Sequence, residues 1–233
     1  MTDQSQLRRL LSNVRLLMLD FDGPVCRIFA GYPAPVIADE LRRLVARRGL
    51  PLSDQLLNTR DPLHVLRLVG ATGNDALTAE VATALRDAEL KATETAKPTA
   101  GVLDLVAAAT TTGRALAIVS NNSREAVTAY LHRHGLESSF VTISGRSLHE
   151  PPQLMKPNPH LVLKALGETN TYPNEAILIG DSVSDVVAAK SAAVAAIGFR
   201  PDRTDLSDLV DAGADATIES LNHLTRILMP LSS

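Results

Sequence analysis

Residues 15–23 read RLLMLDFDG, from Arg15 to Gly23. The unbroken apolar run Leu16-Leu17-Met18-Leu19 predicts a strand over about 15–20. A strand apolar on both faces belongs in the middle of a parallel sheet. Such sheets place ligand chemistry just beyond the carboxyl ends of their strands. Asp20 and Asp22 stand at that end. Two carboxylates so close repel each other unless a cation or a shared proton intervenes, so the pair marks a site.

Working outward, residues 5–13 predict a short amphipathic helix, and the loop GPVCRIFAGYPAP follows the aspartates directly. From about 34 to 96 the pattern is helical throughout. Ile37, Leu41, Leu44 and Val45 form one apolar face, and Gly49 ends that helix. Asp61-Pro62 opens a helix running to about Val69. Asn74 opens another, with Leu77, Val81, Leu85 and Ala88 facing inward. After Lys97-Pro98, helices near 100–112, 123–133, 159–167, 184–192 and 205–212 alternate with strands near 115–120, 140–144, 176–180, 193–199 and 216–218. A last helix begins near 220. Alternation of this kind implies an α/β fold, a three-layer α/β/α core around a parallel sheet with right-handed crossovers. The expected division is a core of residues 1–33 and 97–233 and a small inserted helical unit, 34–96.

Composition removes several classes of function. The net charge is −3 and aromatics make up 3% with no Trp, which supports neither a nucleic-acid partner nor a base-stacking surface. No run of about 18 apolar residues predicts a membrane span, and the N-terminus lacks the pattern of a signal peptide. Cys26 is the single cysteine. It permits no intrachain disulfide, suits a reducing cytoplasm, and reads as a small buried side chain.

Three predicted strands end in polar clusters: Asp20-Phe21-Asp22-Gly23, Ser120-Asn121-Asn122, and Asp181-Ser182-Val183-Ser184-Asp185. In a doubly wound sheet those ends can converge on one crevice. Lys156 lies in the proline-rich loop EPPQLMKPNP ahead of a helix. Carboxylates, a hydroxyl, backbone N–H groups and one ammonium suit phosphoryl transfer, where catalysis is mostly positioning and charge neutralisation. Carboxylates alone would repel a phosphate. A hard dication removes that objection, and oxygen-only ligands favour Mg²⁺. With no His or Cys at the strand ends, zinc is disfavoured. Simpler readings exist for each cluster. Ser120-Asn121-Asn122 can be a helix N-cap, and Asp181 and Asp185 can complement a helix dipole.

In order and spacing, the four clusters resemble the motifs of the haloacid dehalogenase-like superfamily. DFDGPV is similar to its first motif, IVSNN to its second, Lys156 in MKPNP to its third, and GDSVSD (180–185) to its fourth. The inserted helices fall where the family places its helical cap, and phosphoglycolate-phosphatase-like members are closest in layout. The resemblance implies a Rossmann-like core. It implies Asp20 as nucleophile, forming an aspartyl-phosphate, and Asp22 as general acid and then base. It assigns Mg²⁺ to Asp20, the Asp22 carbonyl and Asp181, with Asp185 as an outer or second ligand. It assigns the phosphoryl group to Ser120, Lys156 and the amides of Gly23 and Asn121. Because dehalogenases of the superfamily lack an acid at Asp22, phosphate ester chemistry is favoured. Pro24 stands where the family usually has Thr.

The expected activity is therefore Mg²⁺-dependent hydrolysis of a small phosphorylated metabolite. A phosphosugar mutase of the same architecture and a catalytically silent regulatory module are the alternatives. Arg27, Arg60, His64 and Arg67 are the candidates to meet the far end of the substrate, with solvated helix faces as the simpler reading. The sequence names neither the substrate nor an oligomeric state.

Overall fold

The computed structural model describes residues 3–201 and 205–229. Its strands are β1 (Leu16–Leu19), β2 (Ala115–Ser123), β3 (Thr142–Arg146), β4 (Ala176–Gly180), β5 (Ala195–Phe199) and β6 (Ala216–Ile218). They form one parallel sheet in the order β3-β2-β1-β4-β5-β6. β1 is central, as its four fully buried residues require. The direction of winding reverses beside it, which opens a crevice at the carboxyl ends of β1, β2 and β4.

Helices cover both faces, so the α/β expectation is met. They are α1 (Gln4–Leu11), α2 (Ala34–Arg47), α3 (Asp54–Asn58), α4 (Pro62–Gly70), α5 (Asp75–Thr93), α6 (Val102–Thr111), α7 (Arg124–Arg133), α8 (His160–Thr169), α9 (Val183–Ser191), α10 (Ser207–Asp211) and α11 (Asn222–Leu228). Alternate β1 residues point to opposite faces. Leu17 and Leu19 pack with Leu11, Leu105, Tyr130 and Leu224 from α1, α6, α7 and α11. Leu16 and Met18 pack with Leu161, Val186 and Leu209 from α8, α9 and α10. No helix of the described residues is long and apolar enough to cross a membrane.

Helices α2 to α5 surround a third apolar cluster, with Ile37, Leu41, Leu56, Val65, Leu66, Val81 and Leu85 inside it and Met155 closing one end. Asp61 and Asn74 cap α4 and α5 through hydrogen bonds from the amides of Leu63 and Leu77. The five-residue α3, capped by Ser53, escapes a periodicity argument because it is too short to show a period. Helix α5 belongs to two cores. Leu77, Val81 and Leu85 lie in the cluster of the inserted helices, whereas Ala92 lies in the main core. Glu89, between them, is fully buried.

Two details of the sheet differ from expectation. β2 runs to Ser123, and β3 begins at Thr142. Ser120 pairs with Gly145 and Ser123 pairs with Arg146, so Asn121 and Asn122 bulge out of register. A bulge re-aims side chains near a sheet rim.

Candidate active site

Leu19 pairs with both Ile118 and Ile179, so Asp20, just past the end of β1, lies within about one residue of the level of Ser120 on β2 and Asp181 after β4. Asp20, Asp22, Ser120, Asn121, Lys156, Asp181 and Asp185 then line one cavity of about 310 Å³. All seven are candidates that the sequence motifs offer, and the fold brings them together.

Lys156 is the hub. It is 1% exposed, and its ammonium group donates to the Val119 carbonyl at 2.8 Å, meets Asp20 Oδ1 at 2.9 Å and meets Asp185 Oδ1 at 2.5 Å. Its three N–H donors are thereby matched to three acceptors. Asn121 holds the backbone of Lys156 from both sides. Its Oδ1 accepts from the Lys156 amide at 2.7 Å, and its Nδ2 donates to the Lys156 carbonyl at 3.1 Å. Ser120 donates to Asn122 Oδ1 at 3.2 Å. Asp185 closes a capping box at the start of α9, with Oδ2 accepting from the Ser182 amide and hydroxyl.

The Asp20–Gly23 loop is tight. Asp20 Oδ1 accepts from the Phe21 amide at 2.7 Å, and Asp22 Oδ1 accepts from the Ile28 amide at 3.0 Å. The Gly23 amide, expected to face a phosphoryl group, instead donates to the Cys26 carbonyl at 2.7 Å. The need for glycine has another cause. Gly23 has φ +104°, and a side chain there would collide with the Asp181 carboxylate. Pro24 is buried within this loop. Cys26 is buried too, and burial pushes its thiol up, away from reactivity.

The arginines and histidine that are candidates for the far end of the substrate divide. Arg60 and Arg67 line the cavity. Arg67 donates to the Lys156 carbonyl, while Arg60 has no partner among the described residues. His64 bonds Thr59 Oγ1 at 3.1 Å and stays outside the lining. Arg27 lines a neighbouring cavity of about 760 Å³ that meets the first at Asp181.

Electrostatics follow from burying acids together. Burial and the charge of Asp185 push Asp20 up to about 6, against the pull of Lys156. Burial and the charge of Asp20 push Asp22 up to about 7. Burial, then Asp20, Asp185 and Asp22, push Asp181 up to about 8. Burial opposes the charge on Lys156, yet Asp185 and Asp20 outweigh it and hold the ammonium above its ordinary value.

These acids titrate higher in the folded chain than in the unfolded one. Their stabilising effect is therefore present when they are protonated and lost as pH rises through about 6 to 8. Without metal, the melting temperature is expected to fall between about pH 5 and about pH 8.5. Added Mg²⁺ should raise it more at the upper end, by about 2–4 °C per kcal/mol of binding linkage. Thermal melts in chelator and in Mg²⁺ at both pH values check this. A metal-free melting temperature that rises over that interval contradicts it.

The donor set fits a hard dication. Carboxylate oxygens of Asp20, Asp181 and Asp185 lie within 4.8 Å of one another. The Asp181 carboxylate has no hydrogen-bond or ion-pair partner among the described residues, and the Asp22 carbonyl takes part in none of the loop hydrogen bonds. Asp185 has both oxygens engaged by Lys156 and Ser182.

Residues 41–199 match the sequence model of the haloacid dehalogenase-like hydrolases. The chain belongs to that family. The match begins after the Asp20–Gly23 stretch and includes Ser120, Lys156 and Asp181. A phosphoglycolate phosphatase of Vibrio vulnificus is 29% identical over 118 residues, covering 50% of each chain. The chain thus spans about half the length of the curated relatives it matches. A Clostridium acetobutylicum protein described as a predicted phosphatase superposes with TM-score 0.70 at 20% identity, covering 91% of this chain and 97% of that one. CbbY from Rhodobacter sphaeroides, in complex with phosphate, superposes with TM-score 0.62 at 20% identity, covering 91% and 96%. At such identities the likeness establishes the shared fold of the family.

Glu89 and Arg146 stand beside the site unannounced by any motif, and Asn122, part of the second polar cluster, gains a partner in Glu89. Asn122 donates to Glu89 Oε1 at 3.2 Å, the Ser123 amide to Oε2 at 2.9 Å, and Arg146 Nη2 to Oε2 at 2.7 Å. A signal for Glu89 existed. Val81, Leu85, Glu89 and Ala92 recur at helical spacing, so a carboxylate interrupts the buried stripe of α5. Ala88, expected inward, is half-buried one position away.

Proposed function

We propose that the chain is a Mg²⁺-dependent phosphatase that hydrolyses a small phosphomonoester through an aspartyl-phosphate on Asp20. One observation carries this reading. At the end of β1, Asp20 lies 2.9 Å from the buried ammonium of Lys156 and two residues from Asp22, in a cavity of about 310 Å³.

The two aspartates have separate tasks in this reading. Asp20, at about 6, is mostly ionised at neutral pH and can attack phosphorus. Asp22, at about 7, is poised to protonate a leaving alkoxide and then to take a proton from water. The Asn121 backbone N–H, together with the Ser120 hydroxyl and the Lys156 ammonium once each gives up one of its present acceptors, would bind and orient the phosphoryl oxygens. Asp20, Asp181 and the Asp22 carbonyl would hold Mg²⁺, with Asp185 behind them, and its charge would offset that of the phosphoryl group. Residues 34–96 would act as a cap that shields the cavity from water and selects the substrate, over a core of 1–33 and 97–233. Arg60 would meet an anionic group at the substrate's far end. A single buried cysteine fits a reducing, cytoplasmic setting.

The test is a panel of phosphorylated acids, sugars and aryl phosphates with Mg²⁺, scored for released phosphate. 2-Phosphoglycolate comes first, because the Vibrio vulnificus relative is named for it. Release of free phosphate, abolished by chelator, is expected. An isomeric phosphate ester as product indicates a mutase instead, and inertness across the panel with Mg²⁺ present sinks the enzymatic reading.

A further inference from the structure

A buried ion pair sits beside the site without belonging to it. Glu89 of α5 is 0% exposed and Arg146 at the end of β3 is 4% exposed. Arg146 Nη2 donates to Glu89 Oε2 at 2.7 Å, and Arg146 Nε donates to the Asn121 carbonyl at 3.1 Å. The pair therefore grips the two-residue bulge from both sides.

The bulge carries the gripped geometry to the cavity. A carboxylate only accepts, so Glu89 forces the amide nitrogen of Asn122 toward itself and leaves Asn122 Oδ1 to face Ser120. Ser120 donates to that oxygen at 3.2 Å and accepts from the Asn122 amide at 3.2 Å. Asn121, the other bulged residue, clamps Lys156. One proposed phosphoryl ligand, Ser120, thus takes its position from a glutamate on a helix of the insertion.

We propose that Glu89 and Arg146 are positioning residues for the phosphoryl site, acting through Asn122 on Ser120 and coupling that hydroxyl to helix α5. Neither touches the reacting atoms. The inference rests on the phosphatase reading. It also bears on the cap: the part of α5 around Glu89 and Ala92 stays with the core, whereas Leu77, Val81 and Leu85 pack with α2 to α4.

The experiment is a double-mutant cycle between Glu89→Gln and Ser120→Ala, read as kcat and KM for an aryl phosphate. Glu89→Gln is expected to lower kcat roughly 10- to 100-fold with little change in KM. In the Ser120→Ala background the same change should have less than about a twofold effect, because the group it positions is gone. A merely structural role would lower activity by one factor in both backgrounds, and that result overturns the inference, as does an unchanged kcat. If Glu89→Gln does not fold, the double variant Glu89→Met/Arg146→Met, which replaces the pair by apolar side chains of similar length, enters the cycle in its place. A wild type without turnover overturns the phosphatase reading and this inference with it, whereas an active wild type with additive effects overturns the inference alone.

Discussion

Asp20→Asn is expected to lower Mg²⁺-dependent hydrolysis of an aryl phosphate by roughly 10⁴-fold or more, the loss typical of removing a nucleophile. The change is nearly isosteric. Asn keeps an oxygen for the Phe21 amide, and Lys156 keeps Val119 and Asp185 as acceptors. It also removes one of four mutually repelling acids, so the metal-free melting temperature should hold or rise. Lost turnover with undiminished stability separates chemistry from folding. Retention of most of the wild-type rate would mean that Asp20 does not attack phosphorus.

Lys156→Met should behave differently and lose both properties. The substitution fits the volume but leaves Asp20 and Asp185 facing each other without a cation, where both now lie within 2.9 Å of the ammonium. Breaking a buried ion pair by removing one partner costs about 3–5 kcal/mol, or about 6–20 °C in melting temperature for a chain of this size. The loss should grow with pH, since Lys156 is what holds the Asp20 carboxyl down, and ionising it costs more once the ammonium is gone. Thermal melts of the variant at about pH 5 and about pH 8 check the sign. Equal destabilisation at both would show that packing, and not charge, is what Lys156 supplies.

Much of this arrangement was legible because β1 declares itself. Four apolar residues followed by acids can hardly be anything but a buried strand emerging at a site, and the same logic finds Ser120 after β2 and Asp181 after β4. What stayed hidden depends on register and on distant contacts. The bulge at Asn121-Asn122 exists only because Ser123 pairs with Arg146, and no local pattern encodes that pairing. The Gly23 amide turns into its own loop because Cys26 offers a carbonyl, and glycine is needed there for the sake of Asp181. Arg27 and His64 carry suitable charge or chemistry, but helix rotation and loop path send them elsewhere than Arg60 and Arg67.

The central place of β1 also governs how the chain must be born. Leu16 pairs with Ala115 on one side and Ala176 on the other, both encoded far downstream. During synthesis the run Leu16–Leu19 emerges before both partner strands and is paired on both sides only once β4 has followed. Such non-local pairing slows folding and leaves an apolar strand open to self-association. Arg15 and Asp20 bracket it with charge, the kind of flank that opposes such association. The carboxylate proposed to attack phosphorus would thus serve the nascent chain first, keeping its own strand soluble before any cavity has formed around it.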